Sequence, residues 1–311
     1  MADTNPINYA AQYAEALANA FPTALYFGAL YGTPNNQLYR MGEDGKTVYI
    51  PRIDTTGRTN GDRDNISLAV RNYHNTWEPK TLTRERIWQT LVHPKDVDQT
   101  RQVASIQNIT QTFNVSQKFP EMNAYMVYQL YKLWTSTDPT DSEKTAKTPD
   151  TRELTTANIL TVFDDAMTAM DEANVPPDGR ILYCTPPVKR MFENADKISK
   201  SINVTNASSQ KTVNRVISRL DEVTLVKVPS NLMMTDYDFS VGWALKQTAA
   251  QVNFLLVHPD AVIAPVSYSF AQLSPPDALS QGKWVYYEES HEDVFIINRR
   301  QDAIFFSIVS P

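Results

Sequence analysis

Apolar residues recur at helical spacing through DVDQTRQVASIQNITQTFNVSQKFPEMNAYMVYQLYKLW, residues 96–134. Val103, Ile106, Ile109, Thr110 and Phe113 share one face, while Arg101, Gln107, Asn108, Gln111 and Lys118 fall on the others. Asp96 followed by Gln99 resembles a capping box, so the pattern predicts a helix that starts there. A helix running through Pro120 would lose a backbone hydrogen bond and clash with the preceding turn. The pattern therefore predicts a second helix from Pro120, with Glu121 in its first turn and Met122, Tyr125, Met126, Leu130, Leu133 and Trp134 as its apolar members. No chemistry is evident in this stretch. It reads as a beam that supports what lies on either side.

Before the beam, residues 5–21 predict a short amphipathic helix, capped by Asn5, opened by Pro6 and striped by Ala10, Tyr13, Ala14, Leu17 and Phe21. The aromatic, turn-rich segment after it reads as an arm, because it offers no second layer to bury against. TVYIPRI, residues 47–53, is a strand with Pro51 marking an edge or an end. A polar loop follows, DTTGRTNGDRDN. The alternating run NTWEPKTLTRERIWQTLVHPKDVD is then read as one return strand, giving an extended hairpin. A two-stranded hairpin is marginal in water and needs another surface to lie on.

After the beam, a polar, proline-punctuated loop leads to a different rhythm. A helix with Ile159, Phe163, Ala166, Met167 and Met170 on one face precedes the strand RILYCT. A helix through Val188, Met191 and Phe192 follows, then a polar stretch over 194–214, then the strands VTLVKVP and VNFLLVHP. This traffic implies an α+β or α/β domain with a small sheet. The tail, GKWVYYEESHEDVFIINRRQDAIFFSIV, predicts strands separated by turns at Glu289–Asp293 and Arg299–Asp302.

Composition narrows the function classes. Formal net charge is −6 and the pI about 5.3, which argues against a protein that grips phosphates. A single cysteine, Cys184, excludes an internal disulfide and a thiolate cluster. No window approaches the ~18 apolar residues of a membrane span, and the N-terminus lacks the basic start of a signal peptide. Nine glycines against 19 prolines argue against folds built on glycine loops.

Candidate chemistry is sparse. His74, His93, His258 and His291 pair with no ligand at helical spacing, and the prolines after His93 and His258 indicate turns. Cys184 inside ILYCT reads as a small buried hydrophobe, not as a thiol nucleophile. GRTNGDRD, residues 57–64, lacks both the Gly-Lys-Ser/Thr ending of a phosphate loop and the acidic ladder of a calcium loop, so it reads as a solvated hairpin tip. Asp96/Asp98 and Asp164/Asp165 fall at a helix start or on a charged face. Arg52, Arg58, Arg63, Arg71, Arg84 and Arg86 cluster in the hairpin, interleaved with Asp54, Asp62, Asp64, Glu78 and Glu85. That mixture suits salt bridges to neighbouring protein better than phosphate binding. No catalytic, cofactor-binding or metal-ligating residue is assigned, and no cofactor is expected.

Several stretches, taken in order, resemble the major capsid proteins of tailed bacteriophages. They are LTRERIWQTLVHPKDVDQT leading into the beam, KFPEMNAYMVYQLY after it, NILTVFDDAMTAMDEANVPPDGRILYCTPPVKRMF, and LDEVTLVKVPS. The resemblance implies an α+β chain with the HK-ninety-seven-like capsid fold. It implies an N-terminal arm over 1–45, an extended β-hairpin loop over 46–99, and the spine helix and following helix of a peripheral domain over 100–149. An axial domain with a small mixed sheet would cover 150–265, and terminal strands shared between the two domains 266–311. Arg52, Arg58, Arg63, Arg71, Arg84 and Arg86 in the loop, with Tyr9, Tyr13 and Phe21 in the arm, then become inter-subunit contact candidates.

The same resemblance implies a structural protein rather than an enzyme. It would assemble with itself, as hexamers and pentamers, into an icosahedral virion shell that encloses double-stranded DNA without sequence-specific binding and without a membrane. It would be made in the host bacterial cytoplasm. Its expected partners are a separate scaffold protein, a portal and, in some shells, a decoration protein. Some members of the family form a lysine–asparagine crosslink. Lys46 and Lys80 lie in the hairpin, but no motif specifies a partner, so no crosslink is expected. Two alternatives remain at the level of sequence: an encapsulin nanocompartment shell, which shares the fold, and a soluble α+β enzyme.

Overall fold

The computed structural model describes residues 23–58, 71–99, 105–138, 141, 143–195 and 218–310. The expected helix over 5–21 lies outside them, as do residues 59–70 of the hairpin and residues 196–217. In chain order the helices are α1 (Gly28–Tyr31), α2 (Pro94–Gln99), α3 (Ile106–Phe113), α4 (Phe119–Thr135), α5 (Ile159–Glu172) and α6 (Pro186–Asn194). The strands before α2 are β1 (Arg40–Met41), β2 (Thr47–Thr55), β3 (Tyr73–Thr81) and β4 (Glu85–Val92). Those of the axial region are β5 (Ile181–Cys184), β6 (Arg219–Leu220), β7 (Val223–Lys227), β8 (Tyr237–Asp238), β9 (Ala244–Leu245) and β10 (Val252–Val257). The last are β11 (Val262–Ile263), β12 (Val266–Ser274), β13 (Trp284–Glu292), β14 (Phe295–Ile296) and β15 (Ile304–Ile308).

The hairpin forms, with β2 antiparallel to β3 from Thr47↔Thr81 to Thr55↔Tyr73. β1 reaches only Val48 and Tyr49 on the other side of β2. From Pro51 outward β2 has one neighbour, which is where a strand proline is tolerated. The expected single return strand does not form. The chain turns at Leu82–Arg84, and β4 joins a different sheet, of order β12-β13-β4. Three contacts redirect it. Buried Leu82 donates its N–H to the Lys46 carbonyl at 2.8 Å, Thr83 donates its N–H at 2.9 Å and its hydroxyl at 3.1 Å to the buried Asp293 carboxylate, and the Arg84 carbonyl accepts from the Glu292 N–H. Alternation runs unbroken through this point, so the local pattern does not reveal a change of partner. The expected turn at Glu289–Asp293 is likewise corrected: β13 continues through Glu292, and the chain breaks at Asp293.

The beam also differs from its expected form. Ser105, in extended backbone, caps α3 by accepting from the Asn108 N–H at 3.4 Å, whereas Asp96 lies inside the separate α2. Pro120 does not split the beam. A π-helical turn over Asn114–Lys118 joins α3 to α4 with right-handed backbone throughout, and Pro120 takes the second position of α4. The wider turn moves hydrogen bonding away from the i−4 carbonyl that a proline ring would strike.

The axial sheet, of order β15-β10-β5-β7-β6, is mixed, since β5 and β7 run parallel and the other pairs antiparallel. Its strands alternate between two cores. Leu182, Cys184, Phe254 and Leu256 meet Ile159, Val162, Phe163, Ala166 and Met170 of α5 and Val188 and Phe192 of α6. Tyr183, Leu255, Val257 and Phe306 meet Met126, Val127, Leu130 and Trp134 of α4, with Phe27 and Leu30 of α1. β10 is buried on both faces except at Asn253, which is why its second part, FLLV, reads as a continuous apolar run. A third cluster, Val48, Ile50, Leu82, Ile263 and Phe295, roots the hairpin beside the β11–β14 pair.

Candidate assembly surfaces

The register divides the hairpin into two faces of opposite character. Val48, Ile50, Arg52 and Asp54 point inward with Glu78 and Lys80, and beyond the apolar root this inner face is ionic. Arg52 contacts Glu143 at 2.7 Å and Asp141 and Asp54 at 3.4 Å each. Lys80 contacts Glu78 at 2.8 Å, Asn298 at 3.0 Å and Asp138 at 3.5 Å. Arg299 holds Glu143 at 2.6 Å and also pairs with Asp54. The Arg299 hydrogen bond lowers the Asp54 pKa, and the Asn298 amide, 2.9 Å away, leads the causes that lower that of Asp141.

The outer face carries Tyr49, Pro51, Ile53, Tyr73, Trp77 and Pro79. Ile53 is 67% exposed, Tyr73 58% and Trp77 45%, so the described residues leave much of each side chain uncovered. A shallow groove of about 520 Å³ opens beside Tyr49 and Trp77, with Met41 and Glu43 in its wall.

The β12-β13-β4 sheet repeats this division. Trp88 stacks on Phe113 of α3, and Glu288 pairs with Lys118, so this inner face lies on the spine. The other face brings Ile87, Leu91, Tyr268 and Phe270 together with Glu85, Tyr287 and Glu289. Ile87 and Leu91 are more than half exposed, Tyr268 and Phe270 more than a third. Large apolar surface that a chain leaves uncovered marks an interaction surface.

Between the two sheets lies a buried polar hub. Arg84 pairs with Glu121 at 2.5 Å, and its guanidinium sits 3.8 Å from the Tyr125 ring centroid. Arg86 reaches the same carboxylate at 2.8 Å and donates to the Phe239 carbonyl at 2.9 Å. The Asp293 carboxylate accepts from the Tyr125 hydroxyl at 2.5 Å as well as from Thr83. Burial is the main cause that raises the Tyr125 pKa.

Of the arginines singled out in the sequence, Arg52, Arg84 and Arg86 are thus engaged inside the chain. Arg58 and Arg71 are exposed at the two ends of the described hairpin, Arg71 with its guanidinium 5.8 Å from the Tyr73 ring. Arg63, Tyr9, Tyr13 and Phe21 lie outside the described residues. The exposed apolar faces went unnoticed at the level of sequence. Their signal was present, since β2 carries apolar residues in both phases of its alternation. Cys184 is buried in β5, where burial pushes its thiol up to about 12. The His258 ring accepts from the Asp260 N–H through Nδ1, which leaves Nε2 to donate to the Asp178 carbonyl at 3.0 Å. Among the described residues, no three His, Cys, Asp or Glu side chains gather to hold a metal ion, and no helix is long and apolar enough to cross a membrane.

No protein-family model matches the sequence, and no curated protein is similar to it in sequence. Solved structures do match. The capsid of the cyanophage P-SCSP1u superposes with a TM-score of 0.68 at 16% identity, over 96% of this chain and 92% of that one. The mature capsid of bacteriophage PhiM1 gives 0.62 at 12% identity, over 87% and 84%. The capsid of Ralstonia phage GP4 gives 0.56 at 11% identity, over 97% and 96%. The chain has the HK-ninety-seven-like capsid fold that the sequence motifs led one to expect.

Proposed function

We propose that this chain is the major capsid protein of a tailed bacteriophage. In this reading it assembles through hexamers and pentamers into an icosahedral shell around double-stranded DNA, and it acts structurally rather than as an enzyme. The observation that carries the reading is the pair of uncovered apolar faces, Ile53/Tyr73/Trp77 and Ile87/Leu91/Tyr268/Phe270, on a chain with a capsid fold. Two different faces on one chain favour heterologous contacts, which close into rings when the rotation closes. Exposed Arg58 and Arg71 on the hairpin and Glu85 and Glu289 on the sheet supply opposite charge for such a contact.

The reading keeps the arm, spine, axial domain and terminal strands at the ranges expected from sequence. The extended loop closes at Thr81, because β4 belongs to the sheet beneath the spine. Arg58, Arg63 and Arg71 of the loop, and Tyr9, Tyr13 and Phe21 of the arm, are the proposed inter-subunit contacts. Net negative charge suits a container whose contents must not stick to its wall. A virion location, synthesis in the host cytoplasm, and a scaffold protein and portal as partners belong to the same reading.

Electron microscopy and light scattering of the purified protein test it. Closed hollow particles support it, and Ile53→Asp with Trp77→Asp should leave capsomers or monomers of unchanged melting temperature. A monomer under all conditions overturns it. Particles that hold DNA in infected cells support the phage head, whereas particles filled with an enzyme point to a nanocompartment.

A further inference from the structure

Among the described residues, the seat of the hairpin on its own chain holds a buried ammonium with neither a hydrogen bond nor an ion pair. Lys144 is 6% exposed, and its Nζ has no hydrogen-bond partner among the described residues. Its loop is pinned on both sides. The Lys144 N–H donates to the Asp141 carbonyl at 3.1 Å, the Glu143 carbonyl accepts from Gln301 at 2.9 Å, and the Lys147 N–H donates to the Trp134 carbonyl at 3.1 Å. The side chain is therefore held in the seam between β3, the loop after α4 and the turn Asn298–Ala303.

The carboxylates around it are committed elsewhere. Glu78 and Asp138 contact Lys80, Asp141 contacts Arg52 and Asn298, Glu143 contacts Arg52 and Arg299, and Asp302 contacts Lys147. A cavity of about 120 Å³ lies in the same seam, between Leu133, Ser136, Asp138, Phe295 and Asn298, so packing there is also incomplete. A buried unpaired ammonium is costly and favours any state that returns it to water.

We propose that the hairpin sheet is a latch rather than a fixed element: the buried Lys144 ammonium weakens the seat of β2 and β3 on the chain's own body, so that protonation of Lys144 favours lifting and its loss favours seating. The hinge is Leu82–Arg84, where the chain leaves β3. Lifting separates the inner-face charges of β2 and β3 from Asp138, Asp141, Glu143 and Arg299 and rehydrates Lys144. The pH sense follows from burial, which together with the Lys80 charge pushes the Lys144 amine down to about 8, while Glu78 and Asp138 oppose the shift and Lys147 adds to it. The seated form binds fewer protons than the lifted one. Seating is weakest below about pH 8 and strengthens as pH rises toward the ordinary lysine range, ~10.4. This device belongs to the single chain and does not depend on whether the chain builds a shell.

Hydrogen exchange of the full-length protein tests the latch, with rates corrected for intrinsic pH dependence. A lifted hairpin loses the surface that keeps two strands paired, so its amides exchange. Peptides over Thr47–Thr55 and Tyr73–Thr81 should gain roughly 25-fold protection between pH 7 and 9.5, the part of the displacement from about 8 to ~10.4 that this window spans. Peptides over Val252–Val257 in the axial core serve as the control and should not change. Lys144→Met should show the high protection already at pH 7 and no further gain, whereas Lys144→Arg should stay poorly protected at both values. Hairpin protection that is independent of pH in the natural protein, or a Lys144→Met hairpin that exchanges as fast as the natural one, would overturn the proposal.

Discussion

Trp88 and Phe113 lie face to face, with ring centroids 3.8 Å apart and planes 8° from parallel. This stack fastens β4, and through it the three-stranded sheet, to the last turn of α3. Aromatic pairs contribute about 1 kcal/mol beyond the area they bury. Trp88→Ala should therefore destabilise the chain by about 2–3 kcal/mol, and a double-mutant cycle with Phe113→Ala should return a coupling of about 1 kcal/mol. Urea denaturation measures both.

Arg84 cannot be replaced by lysine at little cost. Its guanidinium both stacks on Tyr125 and pairs with Glu121, and a lysine is a point charge without the planar fork. Arg84→Lys should lose about 2 kcal/mol, and Arg84→Ala about 3–5 kcal/mol, because the second leaves the half-buried Glu121 carboxylate with Arg86 as its remaining cation. Equilibrium unfolding ranks the two, and equal losses would contradict the stacking argument.

Asp293 sets the place where the hairpin ends. Its carboxylate accepts from Thr83, Tyr125 and the Val294 N–H while 2% exposed. Asp293→Ala should cost about 3 kcal/mol, since several buried donors lose their acceptor at once. Asp293→Asn should cost less, and should raise hydrogen exchange at Leu82–Arg84 before it affects the axial sheet.

Cys184 should be silent toward thiol reagents. With the thiol pushed up to about 12 and buried in β5, almost no thiolate exists at pH 8. A disulfide reagent should modify no thiol in the native chain and one after denaturation. Fast modification of the native chain would mean that β5 opens far more readily than a central strand should.

Acid should loosen the hairpin seat. Asp141 has its pKa lowered, with the Asn298 hydrogen bond as the first cause and Arg52 contributing. A carboxylate whose folded pKa lies below its unfolded value stabilises the fold above the unfolded value, about 4, and loses that contribution as pH falls through the folded one. Thermal unfolding between pH 5 and pH 2 should show this loss, and Asp141→Asn should flatten that part of the profile.

Much of the chain was legible before its structure. α5, β5, α6, β7 and β10 fall where periodicity put them, because each carries its own burial pattern. Ile159, Phe163, Ala166 and Met170 recur at helical spacing, and FLLV in β10 is apolar on both faces. The errors share one cause. The run through Leu82 and β4 alternates without a break, and nothing local states that β3 pairs with β2 while β4 pairs with β13. Pro120 signals a helix start, but whether the chain bends or absorbs the proline in a π turn depends on what the helix packs against.

The sequence by itself determined much of the inventory: the helices and strands of the axial region, the apolar faces that build its core, and the order that resembles a capsid fold. Only the tertiary structure decided how these faces are used. It showed that Arg52, Arg84 and Arg86 are neutralised inside the chain, that Ile53 and Trp77 stay largely uncovered by the described residues, and that the same residues leave the buried Lys144 ammonium without a hydrogen bond. The physical reason is that partnership is long-range. Arg52 and Glu143, or Thr83 and Asp293, lie far apart along the chain, and no local spacing encodes their meeting.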